Sequence, residues 1–194
     1  IFFQCKQIPD SVKETDRILC EKYCPIEIDP HLDEKIKIKA MEEWVRTSED
    51  LLRGVVFDSE ELYETIDNLA TELRCGTKEL FEKLEATDVP VLVFSAGLGD
   101  VVEHILKHQN VLLNNVKVFS NFLKYEGNTI VGYKNDILFH TFNKNEHLVD
   151  KEYFKVLKGR NNVLLLGDMI GDATMANGVH DLDTILKIGF LYGD

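Results

Sequence analysis

The chain has 194 residues, with 34 acidic against 22 basic side chains, a formal charge of −12 and a sequence pI near 4.9. That balance excludes a protein that wraps nucleic acid, because binding the phosphate backbone needs clustered Lys and Arg to displace counterions and no stretch here concentrates them. A hydrophobic fraction of 44% with 4 Pro and 12 Gly excludes disorder, and no run approaches the roughly 18 consecutive apolar residues of a membrane span.

The first part reads as helices. Pro9-Asp10-Ser11 offers a cap, after which Val12, Ile18, Leu19 and Tyr23 recur at helical spacing until Pro25, which is expected to stop the run. Asp29-Pro30 predicts a second start, followed by Ile36, Ala40, Met41, Trp44 and Val45 at three- and four-residue steps. Asp58-Ser59 predicts a third, with Leu62, Ile66 and Leu69 on one face. Nothing in this half has the pattern of a strand.

The second part alternates. Residues 77–84 form a short amphipathic pattern, and 89–94 are a continuous apolar, β-branched run that predicts a strand buried on both faces. A helix is expected over 100–108, a strand over 116–119, and a hairpin turning at Glu126-Gly127-Asn128. Residues 162–166 predict another buried strand, 172–176 a helix, and 186–192 a last strand. Strand, helix and strand in repetition imply a mainly parallel α/β sheet, with the helical first part as a separate cap. Acidity is shared unevenly across this division: residues 1–75 hold 18 acids and 10 bases, residues 76–194 hold 16 and 12.

Cys5, Cys20, Cys24 and Cys75 are too sparse for a disulfide scaffold, and Cys20-x3-Cys24 lacks a second ligand pair for zinc. Together with an N-terminus that has neither a basic region nor a cleavage site, they are read as reduced thiols of a cytosolic protein. The chain begins at Ile1 without a methionine and stops just after an apolar run, so a fragment is expected.

In an open parallel sheet, ligands bind beyond the carboxyl ends of the strands, so the residues just after each apolar run are the ones placed to carry chemistry. After the run 89–94 comes Ser95-Ala96-Gly97-Leu98-Gly99-Asp100, which can present a hydroxyl and several backbone N–H groups to a phosphate oxygen, or serve as an ordinary tight turn. After the run 162–166 comes Gly167-Asp168-Met169-Ile170-Gly171-Asp172. Asp168 would point into the crevice, and Asp172 would open the next helix, where its charge suits the dipole. Two such hard oxygen ligands suit Mg²⁺; the bland alternative makes Asp172 an N-cap and Asp168 a solvated turn residue. Lys144 alone is an ordinary exposed lysine. His104 and His108 lie four apart with no carboxylate in metal-ligand spacing, which predicts a solvated helix face.

Taken in order, Ser at one strand end, Lys on a later loop and Gly-Asp-x-x-x-Asp at the next strand end resemble motifs II, III and IV of the haloacid dehalogenase-like phosphohydrolases. The resemblance narrows to the cytosolic 5′-nucleotidase III family through Phe94-Ser95-Ala96-Gly97-Leu98-Gly99-Asp100, Val118-Phe119-Ser120-Asn121-Phe122, Phe142-Asn143-Lys144 and Leu166-Gly167-Asp168-Met169-Ile170-Gly171-Asp172. Glu21-Lys22-Tyr23, Ile26-Glu27-Ile28-Asp29-Pro30 and Met41-Glu42-Glu43-Trp44 extend it into the first half.

This resemblance implies an α/β, Rossmann-like parallel-sheet core over 76–194 and a helical cap over 1–75, the cap incomplete at its N-terminus and the core lacking its first catalytic strand and its C-terminus. It implies a Mg²⁺-dependent 5′-nucleotidase acting on CMP, UMP or 7-methyl-GMP through an aspartyl-phosphate in the cytoplasm; no nucleic-acid polymer or membrane is expected as partner, and a monomer is favoured with the oligomeric state left open. Carried over by residue, Ser95 and the Ala96 N–H would hold the phosphate and Lys144 would balance the phosphoryl charge. Asp168 would be a direct Mg²⁺ ligand, and Asp172 would orient Asp168 or a metal-bound water. In the cap, Glu27 would accept hydrogen bonds from the base and Ser48 would line the nucleotide pocket.

Two departures stand out. The family's nucleophile and general acid are the aspartates of Asp-x-Asp-x-Thr; the one Asp-x-Asp here, Asp181-Leu182-Asp183, comes after motif IV and lacks both the preceding strand and the Thr. The alignment places Ile1 past where that motif belongs. Val45 also stands where family members often carry an aromatic residue suited to base stacking. Two alternatives therefore accompany the nucleotidase reading: an inactive nucleotide-binding or interaction protein, and a phosphatase for a non-nucleotide monoester.

Overall fold

The computed structural model describes residues 1–69, 72–145, 154–177, 179 and 181–191. Helix α1 (Asp10–Ile28) runs straight through Pro25, against the expectation that proline would end it. Proline removes one backbone donor near the end of the helix. The last turn keeps its packing through Ile26, which joins a buried cluster of Leu19, Tyr23 and Met41. The turn comes at Asp29, whose carboxylate accepts the His31 N–H at 2.8 Å. Helix α2 (Glu34–Leu52) accordingly begins later than Asp29-Pro30 suggested, behind Asp33, whose side chain caps the Lys35 N–H at 2.9 Å. The two helices pack as a pair, with the Tyr23 and Trp44 rings stacked 5.6 Å apart.

Helix α3 (Ser59–Asn68) starts where expected, with the Asp58 carboxylate accepting the Glu60 N–H. The segment before it is not free of strand pairing. Val56 bridges Thr129, and Phe57 and Ile130 exchange backbone bonds with Asn128 and Val55. This lays residues 54–57 along the antiparallel hairpin of β3 (Leu123–Glu126) and β4 (Thr129–Tyr133). The largest buried cluster results from that contact: Phe2, Cys5 and Ile8 meet Leu52, Phe57, Leu62 and Ile66, and all close on Leu123 and Ile130 of the hairpin.

Helix α4 (Thr77–Ala86) leads to β1 (Val91–Leu98), and α5 (Gly99–His108) connects β1 to its parallel partner β2 (Val116–Asn121), in register from Val91↔Val116 to Phe94↔Phe119. A four-residue helix, α6 (Phe154–Leu157), precedes β5 (Asn162–Gly167), which pairs in parallel with β6 (Thr184–Gly189). The architecture is α/β with parallel pairing, as the alternating pattern predicts, and the described residues form it as two separate parallel pairs.

Expected burial on both faces does not hold for β5. Leu165 is buried, while Leu164 and Leu166 are exposed beside their register partners Leu186 and Ile188, also exposed. β6 starts earlier than the predicted last strand and ends at Gly189; Tyr192, the expected end, lies outside the described residues. In place of a helix over 172–176 there is a 3-10 turn, Ile170–Thr174. All four cysteines are free, and among the described residues no helix is long and apolar enough to cross a membrane.

Candidate active site

β1 carries its small-residue segment inside the strand rather than after it. Phe94 pairs with Phe119 and Leu98 with Asn121, so residues 95–97 bulge out against a single residue of β2. Within the bulge the Ser95 Oγ accepts the Gly97 N–H at 3.2 Å. Asn121, buried at the end of β2, holds the bulge from behind: its amide donates to the Ala96 carbonyl at 3.0 Å and to the Phe139 carbonyl at 2.8 Å, while its Oδ1 accepts the Phe139 N–H at 2.8 Å. Ser120 donates to the Gly97 carbonyl at 2.8 Å. The next glycine, Gly99, is required by space, since a Cβ there would stand 2.7 Å from the Phe122 ring.

Asn121 also anchors the next part of the site, because Phe139 opens the segment that ends at Lys144. The His140 N–H donates to the Asn143 side chain at 2.7 Å, and the Asn143 amide donates to the Leu138 carbonyl at 2.8 Å. His140 is buried and its Nδ1 accepts the Phe142 N–H, which places the imidazole proton on Nε2. Burial pushes its pKa down, with Glu42 nearby acting the other way.

Lys144 reaches the third part. Its Nζ lies 2.5 Å from Asp172 Oδ1, and both side chains are largely withdrawn from solvent, at 11% and 6% exposure. The other oxygen of Asp172, Oδ2, accepts the backbone N–H groups of Asp168 and Met169 at 3.1 and 3.0 Å. Asp172 therefore braces the turn from within it rather than opening a helix, which is why a 3-10 turn replaces the expected one. Asp168 is exposed at the end of β5. Two glycines permit this geometry: a Cβ on Gly167 would lie 2.4 Å from Asp172 Cβ, and one on Gly171 would lie 2.6 Å from the Thr141 carbonyl oxygen.

The same segment touches the first half of the chain. Glu27, in the last turn of α1, accepts a hydrogen bond from the Thr141 hydroxyl, and its backbone carbonyl accepts one from Lys37 Nζ at 3.1 Å. Lys37 is buried with its Nζ 5.7 Å from the centre of the Phe142 ring. Residues 141–144 thus join Glu27 at one end to Asp172 at the other. Ser48 is half-buried on α2 and, among the described residues, makes no hydrogen bond to this group. An open polar cavity of about 600 Å³ lies between α2 and the segment after the hairpin and takes in Val45 and His140, but not Glu27, Ser48, Ser95, Lys144 or Asp168.

Asn121 and Gly171 stand in the motifs that carry the resemblance without a role assigned to them there, and Thr141 lies outside those motifs. A buried asparagine closing an apolar strand is a usable signal; Thr141 gives none, since its partner is 114 residues away. The two helical histidines also differ from expectation. Asp67, on α3, lies 2.9 Å from His104 Nε2 and 2.8 Å from His108 Nδ1, so the face is paired rather than merely solvated. Among the described residues no group of three or more His, Cys, Asp or Glu is arranged to hold a metal ion.

A bulged strand end backed by asparagine, a buried lysine–aspartate pair and an exposed aspartate after a parallel strand make up the candidate site of this α/β fold. The chain belongs to the family described as pyrimidine 5′-nucleotidase (UMPH-1), whose model matches residues 1–194. It is 43% identical to the 7-methylguanosine phosphate-specific 5′-nucleotidase of Drosophila melanogaster, over 99% of this chain and 60% of the relative. To the Homo sapiens protein of the same description it is 37% identical, over 96% of this chain and 62% of the relative. The crystal structure of cytosolic 5′-nucleotidase IIIB bound to cytidine matches with a TM-score of 0.91 and 41% identity, covering 98% of this chain and 64% of that one. The chain thus spans somewhat under two thirds of the length of these relatives.

Proposed function

We propose that these residues belong to a cytosolic 5′-nucleotidase that hydrolyses nucleoside 5′-monophosphates of the CMP, UMP and 7-methyl-GMP type. One observation carries this reading: a single loop, residues 141–144, joins a carboxylate suited to a nucleobase, Glu27, to the buried Lys144–Asp172 pair beside Asp168. A carboxylate can accept hydrogen bonds from the exocyclic amino groups of cytosine and guanine. The family match supports the phosphate chemistry, and the relatives' names support the substrates.

In this reading, residues 1–75 act as the cap and 76–194 as the core. The bulge at Ser95 and Ala96 receives phosphate oxygens, and Lys144 offsets their charge. Ser48 is assigned to the base side by the family resemblance alone. Asp168 is the residue that would hold Mg²⁺. Its exposed carboxylate fits that ion, which takes one or two carboxylates and completes its shell with phosphate oxygens and water. Bound there, Mg²⁺ would neutralise phosphoryl charge. Asp172, with both oxygens engaged, fits a bracing role instead.

The aspartate nucleophile and its acid/base partner are not among these 194 residues. We assign them to the part of the relatives' length that this chain does not span. A phosphate-release assay on the full-length gene product with CMP and 7-methyl-GMP, with Mg²⁺ or with EDTA, tests the reading. Mg²⁺-dependent release is the expected result; none with either nucleotide would overturn it in favour of a nucleotide-binding protein without chemistry.

A further inference from the structure

Glu27 and Thr141 are the point at which the helical first part touches the loop that carries Lys144. Thr141 is 6% exposed, and its hydroxyl donates to Glu27 Oε1. Its carbonyl abuts Gly171 so closely that a Cβ there would stand 2.6 Å away. Its backbone therefore cannot drift toward the Gly167-to-Asp172 turn, and its side chain stays fixed under the end of α1. From the other side, Lys37 Nζ holds the Glu27 carbonyl at 3.1 Å. Glu27 is thereby held at two places, one on its backbone and one on its side chain.

A carboxylate at a helix end ordinarily rotates freely and loses that freedom on binding. Here one oxygen, Oε1, already accepts the Thr141 hydroxyl, which limits that rotation before any ligand arrives. We propose that Thr141 is a positioning residue for base recognition, orienting Glu27 so that it accepts from nucleobase N–H groups. The inference rests on the nucleotidase reading above. It adds a residue whose effect falls on capture of the base and not on the phosphate chemistry.

The test uses the full-length gene product and two substrate classes, CMP or 7-methyl-GMP and p-nitrophenyl phosphate, which has no base. Thr141→Val removes the donor at nearly constant volume, and losing a hydrogen bond to a charged group predicts a fall of roughly 10- to 100-fold in nucleotide kcat/KM, expressed mainly in KM. Use of p-nitrophenyl phosphate should be unchanged. Thr141→Ser keeps the hydroxyl and should restore nucleotide KM, and Thr141→Val should cost nothing further in a Glu27→Ala background. If Thr141→Val is not recovered folded, by circular dichroism, Thr141→Ala gives the same comparison.

Unchanged nucleotide KM in the valine or alanine variant would overturn the proposal. So would equal losses on both substrates, or failure of serine to restore, since these mark a residue that only supports the fold. A wild-type enzyme that hydrolyses p-nitrophenyl phosphate but neither nucleotide would overturn the nucleotidase reading, and the role of Thr141 with it.

Discussion

Replacing Lys144 by methionine tests the pair at the centre of the site. The substitution keeps most of the side-chain volume and removes the charge, leaving Asp172 buried at 4% exposure. Asp172 Oδ2 retains the N–H groups of Asp168 and Met169, but Oδ1 loses its 2.5 Å partner. Stranding one member of a buried pair costs about 3–5 kcal/mol. For a chain of about 150–250 residues that corresponds to a drop in Tm of roughly 6–20 °C, and to a smaller one in the longer full-length product. The second change, Asp172→Asn, keeps an oxygen for the two N–H groups and removes the stranded charge. The double variant should therefore recover to within about 1 kcal/mol of wild type, because replacing both members of a buried pair is often near neutral. Urea and thermal melts of the full-length gene product and the three variants, in EDTA to remove bound cations, give the cycle. A Tm for Lys144→Met within about 2 °C of wild type would refute the reasoning, as would additive losses in the double variant.

Gly171→Ala drives a Cβ against the Thr141 carbonyl, a backbone atom that cannot swing aside. We expect a loss of about 1–3 kcal/mol in urea melts, with a fall in nucleotide hydrolysis as Lys144 is displaced; stability equal to wild type would show that the turn is looser than its geometry implies. Asp100 offers a pH test. Burial raises its carboxyl above the ordinary value of 3.8, and the Leu123 N–H that it accepts at 2.8 Å offsets this only in part. Its favourable contribution is therefore complete below that ordinary value and lost as pH rises through the folded one. Asp100→Asn, which keeps an acceptor, should gain in Tm relative to wild type between about pH 3.5 and 7, and a difference that stays constant or shrinks over that range would contradict the assignment.

Much of the fold is legible because local signals and tertiary demands agree. Asp58 caps α3 where the sequence places it, and the alternation around Glu126-Gly127-Asn128 resolves into the expected hairpin. Disagreement arises where packing outweighs a local signal. Pro25 carries a helix-breaking signal, yet Ile26 beyond it is held in the α1–α2 cluster. The expected helix at 172–176 loses because the Asp172 side chain satisfies N–H groups behind it and locks a tighter turn. At the site, Asp168, Asp172 and Lys144 stand out by residue type and order. Which oxygen meets which donor does not, and neither does the bond between Glu27 and Thr141, since such pairings depend on contacts far apart in sequence.

The compactness of the 141–144 loop has a consequence for how this protein can diverge. In the proposed reading four consecutive residues serve both ends of the substrate: the Thr141 hydroxyl acts on the base through Glu27 and Lys144 acts on the phosphate, while a shift of the loop backbone is felt at both. The α2 surface bearing Val45 and Ser48 is different in kind. Its side chains project from a regular helix whose backbone is fixed elsewhere by Met41 and Leu52, both buried. Among the described residues neither Val45 nor Ser48 bonds to Lys144 or Asp172. On the proposed reading, evolution or an engineer therefore has a dial for nucleobase preference on this helix, set apart from the loop that carries Lys144.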